Sequence, residues 1–365
     1  MRRVCFALVL ATGACSLTTD FSGIEDDGMR DDWLAPGIAS RKRLTLDTTV
    51  TSIDLQDVPL AVVITDPDLA SAGFADGRDI AFTAADGVTK LAHEIEHFDG
   101  GSLVAWVKVP SIIALTPVDI FLYFGNPDAT DQQNVTGTWS AGYRGVWHLS
   151  QDPAAPGAPM LDSTATGKHG AAEGNPQSVP GIVANALSFD GDDRLVMEDA
   201  EGALDFQDNE SFSFSLWALV TTYTNGGDTL LQRYHAGVGW LIDMQPGEYW
   251  SAGVFNGEAT TYATLGADTE FLGRWSHLVC VVDREHSNVH VYAHGAFAAE
   301  SPLTVGSVVS PEALQLSPGG NPCIATIDEV RVLEKAVSAD WVALEHRNLD
   351  PEAEPFVTLG PLETQ

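Results

Sequence analysis

Phe212-Ser213-Phe214-Ser215-Leu216-Trp217 settles the fold class. Phe212, Phe214 and Leu216 alternate with Ser211, Ser213 and Ser215, so an extended chain places three apolar side chains on one face and hydroxyls on the other. The same reading extends outward. Arg43 to Leu46, Leu60 to Thr65, Ile80 to Thr83, Leu103 to Val109 and Val118 to Phe124 are short alternating or apolar runs bounded by Asp, Gly or Pro. Almost no 3.6-residue periodicity accompanies them, which predicts an all-β chain of antiparallel sandwiches. One helix is predicted at Ala339 to Arg347, where Ser338 can cap the first turn and Trp341, Leu344 and Glu345 recur at helical spacing.

At 365 residues the chain is long enough for two domains, each with its own core. Its 51 acidic and 18 basic side chains give a formal charge of −33, which repels phosphate backbones and anionic lipid headgroups. A nucleic-acid partner and a peripheral membrane-binding face are therefore disfavoured, while divalent cations stay compatible. An acidic surface also serves plain solubility.

The start of the chain has the grammar of export: Arg2 and Arg3, an apolar Val4 to Leu10, then Ala11-Thr12-Gly13-Ala14 before Cys15. This resembles a bacterial lipoprotein signal, which implies removal of residues 1–14, acylation of Cys15 and, with Ser16 next, delivery to the cell outer membrane. Thr12 departs from the usual Leu-type residue, so an ordinary secretory signal is the alternative. No later run reaches the ~18 apolar residues needed to span a bilayer, and any membrane attachment is expected through the lipid alone. Residues 15–39, with Glu25-Asp26-Asp27 and Asp31-Asp32, are predicted to be an acidic flexible tether.

Two domains are expected after it, at residues 40–130 and 143–360. Asp57-Val58-Pro59-Leu60, Asp79-Ile80-Ala81-Phe82-Thr83, Glu94-Ile95-Glu96, Ala105-Trp106-Val107-Lys108-Val109-Pro110 and Tyr123-Phe124-Gly125-Asn126, in that order, resemble a bacterial domain of unknown function, number 2341. Further on come Val146-Trp147-His148-Leu149, Leu161-Asp162-Ser163-Thr164, Ala186-Leu187-Ser188-Phe189-Asp190-Gly191, the Phe212 stretch, Gly273-Arg274-Trp275-Ser276-His277 and Ile327-Asp328-Glu329-Val330-Arg331-Val332. This series is similar to the laminin-G-like jelly roll of the concanavalin A-like lectin and glucanase superfamily. The resemblance implies two antiparallel sheets packed face to face.

His93-Glu94-Ile95-Glu96-His97 matches H-E-x-x-H, in which two histidines one helical turn apart bind zinc and the glutamate serves as base. The setting favours a strand. There His93, Ile95 and His97 point one way and Glu94 and Glu96 the other, separating ligands from base, so a chance pattern on a solvated strand is expected and a zinc metalloprotease is not. Glu94 and Glu96 also alternate like glycoside hydrolase carboxylates. Retaining enzymes need ~5–5.5 Å between carboxyl groups and alternate strand residues stand ~6.6–6.8 Å apart, so geometry permits hydrolysis. The pair nevertheless lies outside the lectin-like domain, which lacks the Glu-x-Asp-x-x-Glu strand of those enzymes. No Gly-rich phosphate loop, Gly-x-Ser-x-Gly elbow or Cys-x-x-Cys pair occurs. No catalytic residue is assigned.

Asp190-Gly191-Asp192-Asp193 offers hard oxygen donors on a turn, the chemistry calcium prefers. The jelly-roll resemblance implies Asp328 as the distant partner, giving Asp190, Asp193 and Asp328 as a candidate structural calcium set; a solvated acidic turn is the alternative. Tyr234, Trp240, Tyr249 and Trp250 are the candidates for stacking on sugar rings, with Trp106, Trp217 and Trp275 assigned to the core. Cys280 and Cys323 lie on strand-like segments of an exported chain and are expected to form a disulfide worth ~4 kcal/mol; two buried free thiols are the alternative. The resulting expectation is a non-catalytic surface lipoprotein whose jelly roll binds carbohydrate or another extracellular ligand with calcium as the one suggested cofactor. The competing reading is a structural or adhesive module that contacts proteins, since jelly rolls serve both roles.

Overall fold

The computed structural model describes residues 33–34, 38–72, 74–155, 158–223, 227–245, 249–265 and 271–365. The signal segment, Cys15 and nearly all of the predicted tether lie outside them. Of that tether, Ile38 is buried beside Phe121 and Tyr123, with Trp33 and Leu34 packed against the same cluster.

The first domain is a sandwich of two antiparallel sheets. One contains Ser40–Leu46, Val118–Phe124, Ala81–Ala84 and Lys90–Leu91; the other runs Leu55–Thr65, Ser102–Ile112, His93–Asp99. Leu44, Phe82, Leu122 and Phe124 meet Val58, Leu60, Val107 and Val109 in its core. The chain then leaves this domain and returns to it at its end. Val357–Thr364 pairs antiparallel with Ser40–Leu46 as the fifth strand of the first sheet. The sequence boundary at residue 360 is thus corrected, because the partner of Ser40–Leu46 lies at the far end of the chain.

Between these passages the jelly roll forms as expected. Phe212–Thr222 sits between Ile324–Leu333 and Trp275–Asp283 in an eight-stranded sheet, and a seven-stranded sheet that includes Asp228–His235, Val238–Gln245, Tyr249–Asn256 and Thr260–Thr264 faces it. Phe212, Phe214 and Leu216 are fully buried between the sheets with Trp240, Ile242, Trp250 and Val254. The outer face of the eight-stranded sheet is covered as well. Trp217, Val279 and Val281 pack with Trp341, Val342 and Leu344 of the helix Ala339–Leu349 and share one apolar cluster with the first domain. Ser338 Oγ caps that helix by accepting from Trp341 N at 3.1 Å, as the sequence predicted. Asn348 then closes a sheet edge in the first domain, accepting from Ala61 N at 2.7 Å and donating to Ala61 O at 2.9 Å.

The expected disulfide is absent: Cys280 and Cys323 are buried free thiols. Cys280 lies opposite Phe214, whereas Cys323 adjoins Ile324, which lies opposite Thr222, so roughly eight residues of strand, about 26 Å, separate them. No bridge spans that distance.

Candidate functional site

His93–Asp99 is a strand, and a register shift between Ile95 and His97 makes Glu96 a bulge residue. The two histidines do not gather around a metal. His93 is fully buried edge-on against Phe82, and burial pushes its imidazole down to about 4, while His97 is exposed. The strand is not solvated as expected, however. Glu94 and Glu96 reach into the junction between the domains, where the jelly roll supplies a second pair of acids through a bulge of its own. Ala325, Ile327, Val330 and Val332 point into the jelly-roll core, and the three-residue step from 327 to 330 leaves Asp328 and Glu329 both outside it.

His148 occupies the centre of this junction. Its Nδ1 lies 2.8 Å from Glu329 Oε1 and 3.7 Å from Glu96 Oε2, and its Nε2 lies 3.3 Å from Glu94 Oε2. The ring stacks on Trp106, 5.4 Å between centroids. Glu94 also accepts from Trp139 Nε1 at 2.6 Å and Ser163 Oγ at 2.7 Å, and Glu96 from Trp106 Nε1 at 2.8 Å and from Ser150 Oγ. Arg331 bridges Glu329 at 2.8 Å and Glu345 at 3.0 Å while lying 4.5 Å over the Trp106 ring.

The charge states follow from crowding. Burial opposes a charge on His148, but Glu329, Glu94 and Glu96 together hold it well above the usual range. Burial would raise Glu94 and Glu329, yet His148 keeps both low, helped at Glu329 by Arg331. Glu96 is pushed up to about 7, first by burial and then by Glu329, against the pull of His148. Ligand atoms of Glu96, His148 and Glu329 lie within 4.8 Å of one another, so this trio could hold a metal, although His148 and Arg331 already supply positive charge there. Its chemistry as it stands is that of a dry ion network locking two domains together.

The proposed calcium set is not assembled. Asp190 lies opposite Ile324, so Asp328 stands roughly four residues, about 13 Å, further along the neighbouring strand. There it accepts from Ile182 N at 2.9 Å and Glu329 N at 2.9 Å. Asp190, Asp192 and Asp193 do cluster within 4.8 Å, but Asp193 ties the turn by accepting from Asn175 N at 2.6 Å and Asp190 N at 3.2 Å.

The aromatic candidates divide sharply. Trp240 and Trp250 belong to the jelly-roll core, with Trp240 4.6 Å from Phe214 and Trp250 5.9 Å from Phe271, so neither ring can meet a ligand. Tyr249 lies on a described strand, but its side chain is outside the described residues. Tyr234 is on the outer face of the seven-stranded sheet. Cross-strand register places Tyr234 opposite Gly239, Gly239 opposite Phe255, and Gly253 opposite Tyr262, on that face. The rings form a row, Tyr234 to Phe255 at 4.8 Å and Phe255 to Tyr262 at 5.0 Å. Gly253 makes room for it: a Cβ there would stand 2.7 Å from both Phe255 and Tyr262. Asp243 lies on the same face, accepting from Ser251 Oγ and Gln245 Nε2. Burial lifts its carboxyl to about 6, and burial, Asp243 and Tyr234 together lift the Tyr262 phenol to about 12. Phe255, Tyr262 and Asp243 were missed in sequence. The signal was the inward series Trp250, Ala252, Val254, which turns Ser251, Gly253 and Phe255 outward.

Two sheets with this strand content find their counterpart among known families. Residues 189–343 match the concanavalin A-like lectin/glucanases superfamily. Residues 76–145 match a domain of unknown function, DUF2341. No curated protein matches the chain. Similar solved structures include the binding domain of Paraclostridial Mosquitocidal Protein 1, at 10% identity and a TM-score of 0.48, covering 56% of this chain and 52% of that one. The binding domain of botulinum neurotoxin serotype D is 12% identical with a TM-score of 0.46, covering 58% and 52%. That of botulinum neurotoxin DC in complex with SialylT is 14% identical with a TM-score of 0.46, covering 57% and 52%. The chain spans about half the length of these structures.

Proposed function

We propose that this chain is a non-catalytic surface lipoprotein whose concanavalin A-like domain binds carbohydrate on the outer face of its seven-stranded sheet. The row Tyr234, Phe255, Tyr262 carries the reading: Tyr262 and the half-buried Tyr234 flank the buried Phe255 ring edge to face and present aromatic surface for the C–H face of a sugar. Beside it the partly exposed Gln245, held by the buried Asp243 and Ser251 pair, supplies an amide for hydroxyls. Acylation of Cys15 would place this face outside the cell at the outer membrane, and a Cys15→Ser variant would then be released in soluble form. No helix among the described residues is long and apolar enough to cross a membrane.

A glycan array on the mature chain tests the binding, followed by calorimetry of Tyr262→Ala. Tyr262 is 38% exposed, so its truncation should leave the melting temperature within about 1 °C while weakening the best glycan at least roughly tenfold, the order expected for one stacking contact. Silence across the array would favour the structural or adhesive reading.

A further inference from the structure

A second recessed surface lies on the opposite sheet, where the outer face of the eight-stranded sheet meets the C-terminal end of the helix Ala339–Leu349. A groove of about 550 Å³ opens there, lined by Trp217, Trp275, Arg274, His294, His346 and Asp350. This is the size range of small-molecule sites. Its floor is firmly built. Trp217, only 2% exposed, stacks on His277 at 4.9 Å and on His346 at 5.4 Å, and the two imidazoles lie parallel 6.0 Å apart. Gly295, at φ +75°, presses the adjoining hairpin against His346 so closely that a Cβ would lie 2.8 Å from that side chain. Of these two imidazoles, His346 lines the groove, and its Nδ1 has no hydrogen-bond partner. An imidazole nitrogen left unpaired carries a desolvation cost that a hydroxyl partner relieves.

We infer that this groove is a second binding site for a neutral saccharide, separate from the tyrosine face. The charge pattern disfavours an anion: the groove sets Arg274 against two acids, Asp350 and Glu352. Burial lowers His346, so its imidazole is uncharged at neutral pH and can donate or accept, which matches a hydroxyl. Trp275 is partly exposed and offers a ring face for stacking. The inference takes its ligand class from the carbohydrate reading but uses none of the same residues. A chain with two such faces, one on each sheet, bridges two glycans or two segments of one.

The test uses the mature chain titrated with malto-, cello-, xylo- and chitohexaose, read by tryptophan emission and by imidazole ¹⁵N shifts. At least one sugar is expected to give a saturable emission change together with a shift of His346, and both Trp275→Ala and Arg274→Ala should weaken that response at least tenfold. Arg274 is exposed, so its variant keeps the fold should Trp275→Ala disturb it. Tyr262→Ala should leave this response intact. Absence of any response from all four sugars, or binding that neither groove variant weakens, overturns the second site. Binding lost in Tyr262→Ala alone removes the groove and leaves the tyrosine face; binding lost in the groove variants alone does the reverse.

Discussion

Glu329 stands at φ +49°, a left-handed backbone that a non-glycine residue adopts only when its surroundings fix it. What fixes it is the pair of cations it joins, His148 at 2.8 Å and Arg331 at 2.8 Å. Truncation of one member of a buried ion network strands the others, so Glu329→Ala should cost about 3–5 kcal/mol in chemical denaturation, and Glu329→Gln less. The acids titrate with opposite consequences. Glu94 and Glu329 are held low and favour the folded state above the usual carboxylate range, losing that contribution as pH falls. Glu96, pushed up to about 7 from 4.5, keeps its proton in the folded chain where the unfolded chain has released it, so its contribution declines as pH rises between those values. Asp243 behaves in the same sense between 3.8 and about 6. Asp243→Asn should therefore raise stability at pH 8 by about 1–3 kcal/mol and flatten the melting temperature profile between pH 4 and 6, while weakening glycan binding. An unchanged profile would mean that the carboxyl titrates normally.

At the scale of elements, alternation was readable wherever one face of a strand is dry. Phe212–Thr222 carried its own signal because Phe212, Phe214 and Leu216 all meet the opposing sheet. The helix Ala339–Leu349 was equally plain, with a serine cap ahead of Trp341 and Leu344. The strand His93–Asp99 was harder to place. Glu94 and Glu96 look like a wetted face in sequence, but both are paired with His148, far along the chain. Val357–Thr364 shows the same limit, since nothing in its residues names Ser40–Leu46 as its partner. Removing residues 357–365 should expose that edge. In hydrogen exchange, the Ser40–Leu46 amides that face the lost strand should exchange roughly tenfold faster or more, while those facing Val118–Phe124 stay protected. Uniform protection throughout would show that the terminal strand adds nothing to the sheet.

For the molecule as a whole, the two domains are one mechanical unit. The first domain is closed by the last strand of the chain, the jelly roll is sheathed by the C-terminal helix, and a shared apolar cluster with the His148 ion network fills the junction. Two aromatic surfaces remain, one on each sheet of the jelly roll, and the predictions for Tyr262 and Arg274 decide between a lectin-like body and an inert spacer. The sequence by itself determined the all-β class and the buried faces of the strands, because hydrophobic burial writes a local period of two into the chain; the order of the two domains was legible only through motifs that resemble known families. Only the tertiary structure decided that Trp240 and Trp250 are core, that Cys280 and Cys323 stand too far apart to bond, that Asp328 serves a loop and not Asp190, and that Glu94 and Glu96 lock the domains. Each of those depends on which strands become neighbours and in what register, and pairing across hundreds of residues leaves no mark on either strand alone.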